Sequence, residues 1–206
     1  MRDASSHAAA GISVPTIVGA ALVVIRERGV EGLTMRSVAE RLGVRAPTLY
    51  HHVRNKGELL ELVARNAFDS FEADLVAYQQ VGTLDEWIEL TTVGSLRLRG
   101  FYAEHPGLAR LIQSKATPDR DEGDGSRAAL VRAQLEALVR LGVPEPTARK
   151  LFETSARWTL AAVAAEPLGS AGEDLFASGL EIFMAGLRGA LQPVDGRAAG
   201  SRPSSS

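Results

Sequence analysis

Hydrophobic positions recur at helical spacing through nearly the whole chain. From Pro15 to Gly29, the residues Ile17, Ala20, Ala21, Val24 and Ile25 fall on one stripe of a helix, with Pro15 in the first turn and Gly29 and Gly32 at the stop. Thr34 is an N-cap for a second, short helix that turns Val38, Ala39 and Leu42 inward, and Gly43 supplies the following turn. A third helix starts near Ala46, with Pro47 in its first turn and Leu49 and Val53 facing the core. Asn55 and Glu58 read as a cap and its reciprocal carboxylate, opening a long helix from Lys56 to about Gln79. Thr83 and Glu86 repeat that pattern before a helix to about Glu104, which His105-Pro106 breaks. A short helix over Gly107–Gln113 and longer ones over Ser126–Leu141, Thr147–Ala165 and Glu173–Leu191 complete the set. No run alternates apolar and polar residues long enough to argue a sheet. The pattern predicts an all-α protein of about nine helices.

The segments between helices divide the chain. Residues 1–13 are small and polar and read as a flexible arm. Residues 14–71 form a three-helix head carrying a helix-turn-helix, with the fourth helix as connector, and residues 72–191 form a helical-bundle body. The charged, Gly- and Pro-bearing stretch from Ser114 to Gly125 and the shorter one from Glu166 to Gly172 read as loops, and residues 192–206 as a disordered tail.

Composition narrows the class. There is no cysteine, which excludes disulfides and thiolate metal sites. The longest apolar stretch, Gly11–Ile25, is too short and too interrupted to span a bilayer, and the first ten residues lack the order of a secretory signal. A cytoplasmic protein without a membrane partner is expected. Charge is uneven: residues 1–67 hold nine Arg and Lys against six acids, and the remainder holds 14 against 19. A mildly basic head on an acidic body suits a protein that meets phosphate with one end.

The segment from Thr34 to Lys56 places one helix end where it can enter a DNA groove. Arg36 and Arg45 can bond guanine edges or phosphate, and Thr48 and Tyr50 offer hydroxyls to bases or backbone. Lys56 sits at a helix start, where amides and dipole favour an anion. Contacts of this last kind position a protein without reading sequence. His51 and His52 are adjacent on one helix, so their side chains diverge by about 100° and chelate one ion poorly; no metal and no cofactor is expected.

Gly32-Leu33-Thr34-Met35-Arg36, Val38-Ala39, Leu42-Gly43-Val44 and the run from Pro47 to Lys56 resemble the tetracycline-repressor-like (TetR) family, closely over about Val14–Phe71. The resemblance implies a recognition helix starting at Ala46. It implies DNA contacts from Arg36, Pro47, Thr48, Tyr50, His52 and Lys56, with Arg45 beside Ala46 and His51 completing the candidate face. Ala46 departs from family members that carry a polar base-reading residue there, so Arg45 takes over part of the readout.

In the body, Phe101, Tyr102, Leu108, Leu111 and Ile112 cluster near the His105-Pro106 break, with Trp87, Phe152, Trp158 and Thr159 across from them. Of these, Trp87, Phe101, Tyr102, Leu111, Ile112, Phe152 and Trp158 are the candidate walls of a small-molecule pocket. The resemblance extends more weakly to Asp174–Leu187 and implies that the last two long helices pair with their copies in a homodimer. Leu175, Gly179, Leu180, Phe183 and Leu187 make the candidate interface stripe. Tetracycline-binding members hold a drug–metal complex with a His near the position of Ile112; none follows His105 here, which argues against metal-dependent sensing.

Together these features predict a regulator, most simply a repressor, that binds a palindromic operator in double-stranded DNA and leaves it when a small-molecule effector binds. An enzyme is the weaker alternative, since neither a nucleophile elbow nor a phosphate-binding Gly loop is present. A helical ligand-binding protein with a vestigial head and a non-specific architectural DNA-binding protein are the other readings.

Overall fold

The computed structural model describes residues 12–115, 125–165 and 170–191, the side chains of Ser170 and Ala171 excepted. Most of the expected arm, the tail and most of the two expected loops lie outside the described residues. Among those described there is no strand; the first helix begins at Val14 and the last ends at Leu191.

The head holds α1 (Val14–Arg28), α2 (Met35–Leu42), α3 (Ala46–Tyr50) and α4 (Lys56–Asn66). Its helix starts are set locally. The Ser13 hydroxyl accepts from the Thr16 amide, while the Thr16 hydroxyl oxygen accepts from the Ser13 amide at 2.8 Å. Thr34 and Ser37 repeat this exchange at α2. At α4 the Asn55 side chain accepts from the Glu58 amide at 3.0 Å, as expected, but the Glu58 carboxylate accepts from the amide of Arg54 at 2.7 Å. The same one-residue reach recurs where Thr83 caps the Glu86 amide and the Glu86 carboxylate takes the Gly82 amide.

The turn between α2 and α3 depends on Gly43, at φ 68°, and its neighbour Val44 donates back to the Ala39 carbonyl at 3.0 Å. This ends α2 and swings α3 across it. Leu49 and Val53, almost wholly buried, pin α3 to a core made by Ile17, Ile25, Val38, Leu59 and Val63. Burying these side chains is what holds a five-residue helix that would not persist alone.

The expected helix from Lys56 to Gln79 is three pieces. After α4 comes a 3-10 turn (Ala67–Ser70), an extended stretch, and α5 (Leu75–Gln80). Asp74 restarts the helix by accepting from the Ala77 amide at 3.0 Å. Phe68 and Phe71 pack against each other at 5.2 Å across the break.

The body follows with α6 (Leu84–Ala103), α7 (Leu108–Ser114), α8 (Ser126–Arg140), α9 (Glu145–Ala165) and α10 (Ser170–Leu191), which starts three residues before the expected Glu173. Among the described residues ten α-helices stand where nine are expected, the extra one being α5. Body and head have separate cores, but the division does not follow the expected boundary at residue 71. Tyr102, Leu108, Leu111 and Ile112 belong to the head's core, beneath α1 and α4. The two parts also meet through backbone: the Val30 amide donates to the Pro106 carbonyl at 3.0 Å, and Gly107, at φ 84°, lies against the Val30 side chain. Among the described residues no helix is long and apolar enough to cross a membrane.

Candidate nucleic-acid interface and effector cavity

The head presents one polar face. Arg36, Arg45, Pro47, Thr48, Tyr50, His51, His52 and Lys56 are all exposed, and Ala46 is half-buried between them. Leu49 and Val53, on the opposite side of the same turn, hold this face outward. Tyr50 keeps 49% of its surface accessible, unusual for an aromatic with a buried neighbour. Among the described residues, the side chains of Arg45, Thr48, Tyr50, His51, His52 and Lys56 make no intramolecular hydrogen bond or ion pair, so their bonding capacity is available to a partner. Arg36 differs: its Nε donates to Glu40 at 2.8 Å, and that hydrogen bond, then the Glu40 charge, raises its pKa. The pair is fully in solvent, where such pairs are weak and exchange readily. Arg36 can therefore leave Glu40 for phosphate.

The body contains a cavity of about 160 Å³ between α6, α8 and α9, with the 68–78 segment along its edge. Leu90 and Leu98 from α6, Leu130 and Val131 from α8, and Phe152 and Ala156 from α9 give apolar walls, closed at one side by Phe68 and Phe71. Thr91 and Ser95, one turn apart on α6, face Ser155 and Thr159, one turn apart on α9, with Gln134 from α8. Tyr78 hydrogen-bonds Thr91 at 3.3 Å. Burial pushes the Tyr78 phenol up to about 12; the hydrogen bond to Thr91 opposes this and the charge of Asp74 adds to it. Glu72, Asp74, Arg97 and Arg127 surround the rim, and Arg97 Nη2 donates to the Glu72 carbonyl at 3.0 Å, tying α6 to the segment before α5.

Of the seven candidate pocket residues, Phe152 lines this cavity. Trp87 is wholly buried in the body core, its Nε1 donating to the Gln134 carbonyl at 3.3 Å. Tyr102, Leu111 and Ile112 lie in the head-side core. Phe101 stands edge-on to Phe71 at 5.9 Å, one layer behind the cavity wall. Trp158 stacks on Phe183 at 5.0 Å and covers Gly179, whose hydrogen leaves room for the indole. The aromatic clustering thus marks core around the cavity rather than its lining. The signal that does point to the cavity is a pair of small hydroxyl residues at i, i+4 on two otherwise apolar helix faces.

The candidate interface stripe on α10 splits in two. Leu180 and Leu187 are buried in the chain's own core, and Gly179 and Phe183 pack on Trp158. Leu175 and Ile182, at 65% and 76% exposure, form an outward apolar edge one turn around the helix.

Residues 17–63 match the family described as bacterial regulatory proteins, tetR family. Over 49 residues the chain is 55% identical to the tetracycline repressor protein class A from transposon 1721 of Escherichia coli, a match that spans 24% of this chain and only 23% of that repressor. It is 29% identical over 161 residues to the class E tetracycline repressor of Escherichia coli, covering 76% of this chain and 70% of the relative. The fold superposes on the Streptomyces coelicolor TetR family protein ActR in complex with actinorhodin with a TM-score of 0.65, at 20% identity, over 88% of this chain and 97% of that one. The family match covers the buried residues that seat α3 and the exposed face they hold outward, and the body beyond it shares the fold; the head of the chain matches the tetR family of bacterial regulatory proteins.

Proposed function

We propose that the protein is a homodimeric transcriptional repressor that binds a palindromic operator through the face built on Arg36, Arg45, Ala46, Pro47, Thr48, Tyr50, His51, His52 and Lys56, and that a small molecule in the α6–α8–α9 cavity releases it. The observation that carries the reading is the exposed, internally unbonded polar cluster on α3, held by a buried Leu49 and Val53. Polar groups at the end of a short helix, beyond a tight turn, suit insertion into a major groove. The tetracycline repressors that share the head are named for repression, and ActR carries actinorhodin within the same fold.

The exposed edge of Leu175 and Ile182 on α10 supports pairing with a second copy, which places two heads in successive grooves about 34–36 Å apart. A ligand releases the DNA only if it binds the incompetent arrangement of the heads more tightly than the competent one. The cavity suits such coupling. Phe71 lines it, Phe101 stands against Phe71, and His105, tilted against Phe101 with ring centres 4.6 Å apart, precedes the Pro106 carbonyl that bonds the head at Val30.

Selection of a random duplex library with the purified full chain at physiological salt, followed by sequencing, tests the reading. A shared palindrome is expected. Retention without a motif supports the architectural alternative, and no retention supports a ligand-binding protein with a vestigial head.

A further inference from the structure

Seven polar residues are buried among the described residues, and five of them line the cavity between α6, α8 and α9. Two of the five are satisfied internally. The Ser155 hydroxyl donates to the Leu151 carbonyl at 2.8 Å, and Thr91 pairs with Tyr78. The other three are not: the side chains of Ser95, Gln134 and Thr159, only 8%, 8% and 4% exposed, have no hydrogen-bond partner among the described residues. Elsewhere on the same helices, Thr92 and Thr154 return their hydroxyls to the carbonyl one turn back at 2.7 Å. Ser95 and Thr159 forgo that bond. Buried polar groups are nearly always paired, so three orphans converging on one hollow from three helices call for an external partner.

The charges narrow its nature. No ionisable acid or base lies among the buried residues of the cavity apart from the Tyr78 phenol, which burial keeps neutral. The charged side chains are at the rim, two of each sign; Arg97 is engaged with the Glu72 carbonyl, and Arg127 lies over the Phe68 ring at 5.8 Å. An ionised ligand group carried to the depth of the cavity would find no counter-charge. The two hydroxyls can donate or accept, whereas the Gln134 amide has separate donor and acceptor atoms, so satisfying it takes both kinds of group in the partner.

We infer that the cavity recognises an uncharged, largely apolar compound bearing both a hydrogen-bond donor and an acceptor, which bond Ser95 on α6, Gln134 on α8 and Thr159 on α9 while its apolar body lies against Leu98, Leu130 and Phe152. This rests on the cavity being the effector site, but it makes separate claims about chemistry. Because the three orphans come from three helices, the ligand fastens α6, α8 and α9 together, which a hydrocarbon of the same shape does not.

The test is calorimetric titration of the purified full chain with hydroxytetralone, with its parent hydrocarbon tetralin, and with tetralin carboxylate. Hydroxytetralone is expected to bind at least about tenfold more tightly than either, as two or three hydrogen bonds predict. Ser95→Ala, Gln134→Leu and Thr159→Val should each weaken it about two- to tenfold, while tetralin binding holds or improves. Melting of the free protein distinguishes a recognition role from a structural one: Thr159→Val should keep or raise the melting temperature, since it removes an unmet hydroxyl. Equal binding of tetralin, tightest binding of the carboxylate, no binding of any probe, or a lowered melting temperature for Thr159→Val would each overturn the inference. A hydroxytetralone complex that stays on its operator would support this chemistry and sink the effector reading.

Discussion

The joint between head and body gives a prediction whose size follows from geometry. Gly107 has φ 84°, and a Cβ built on it would stand 3.3 Å from both Val30 Cβ and Cγ2. Gly43 has φ 68°, with nothing within 4 Å of such a Cβ. An alanine at either site meets the left-handed penalty of roughly 1–2 kcal/mol, partly offset by about 0.4–1 kcal/mol of unfolded-chain entropy. Gly43→Ala is therefore expected to lose about 1 kcal/mol. Gly107→Ala adds an overpacked contact, roughly 1–3 kcal/mol where the neighbours cannot yield. Val30 has little room to yield, because its amide is bonded to the Pro106 carbonyl. For a chain of this length about 1 kcal/mol moves the melting temperature by roughly 2–4 °C. Gly43→Ala should fall by that amount and Gly107→Ala by about twice as much or more. Differential scanning calorimetry at one fixed protein concentration reads both, the concentration being held because a dimer melts in a concentration-dependent way. Operator affinity of Gly107→Ala should drop as well, since Val30 moves with the head. Equal melting shifts for the two variants would refute the claim that the joint is closely packed.

Three further outcomes are expected. Lys56→Ala should weaken DNA binding on all sequences and reduce the slope of log affinity against log salt by about 0.9, measured by fluorescence anisotropy; an unchanged slope removes Lys56 from the phosphate contacts. Ile182→Glu should shift sedimentation velocity toward monomer while leaving the helical circular dichroism intact, because Ile182 lies outside the chain's own core; a dimer that persists moves the interface elsewhere. Tyr78 holds its proton to about pH 12 when folded and releases it near 10 when unfolded. The folded state then binds more protons between those values, so stability should fall as pH rises from 10 to 12, by about 2–3 kcal/mol. In urea titrations across that window Tyr78→Phe should lose this part of the decline, and an identical decline would argue against burial as its cause.

The head was largely legible because its determinants are local. Caps at Thr34 and Asn55, a glycine at the turn, and Leu49 and Val53 at core spacing are short-range features, and each reappears in the fold. The break after Asn66 was not, because Phe68 and Phe71 continue an apolar pattern compatible with helix, and only their packing beside Phe101 favours the turn. The cavity was the least legible part. Its lining comes from residues such as Thr91, Gln134 and Ser155, which are far apart in sequence and individually unremarked. The aromatic residues that stood out in sequence are mostly those large enough to fill the core around it. On α10 an apolar stripe was evident, but which of its edges faces inward is decided by Trp158 on the neighbouring helix.

The two tryptophans have an optical use. Trp87 sits in a dry interior and donates to the Gln134 carbonyl behind the cavity; Trp158 lies face to face with Phe183 where α9 meets α10. With only these two indoles in the chain, each Trp→Phe variant leaves a single emitter. One then reports occupancy of the hollow and the other the seam beside the proposed second copy, so ligand uptake and the proposed pairing can be followed as separate signals in unlabelled protein.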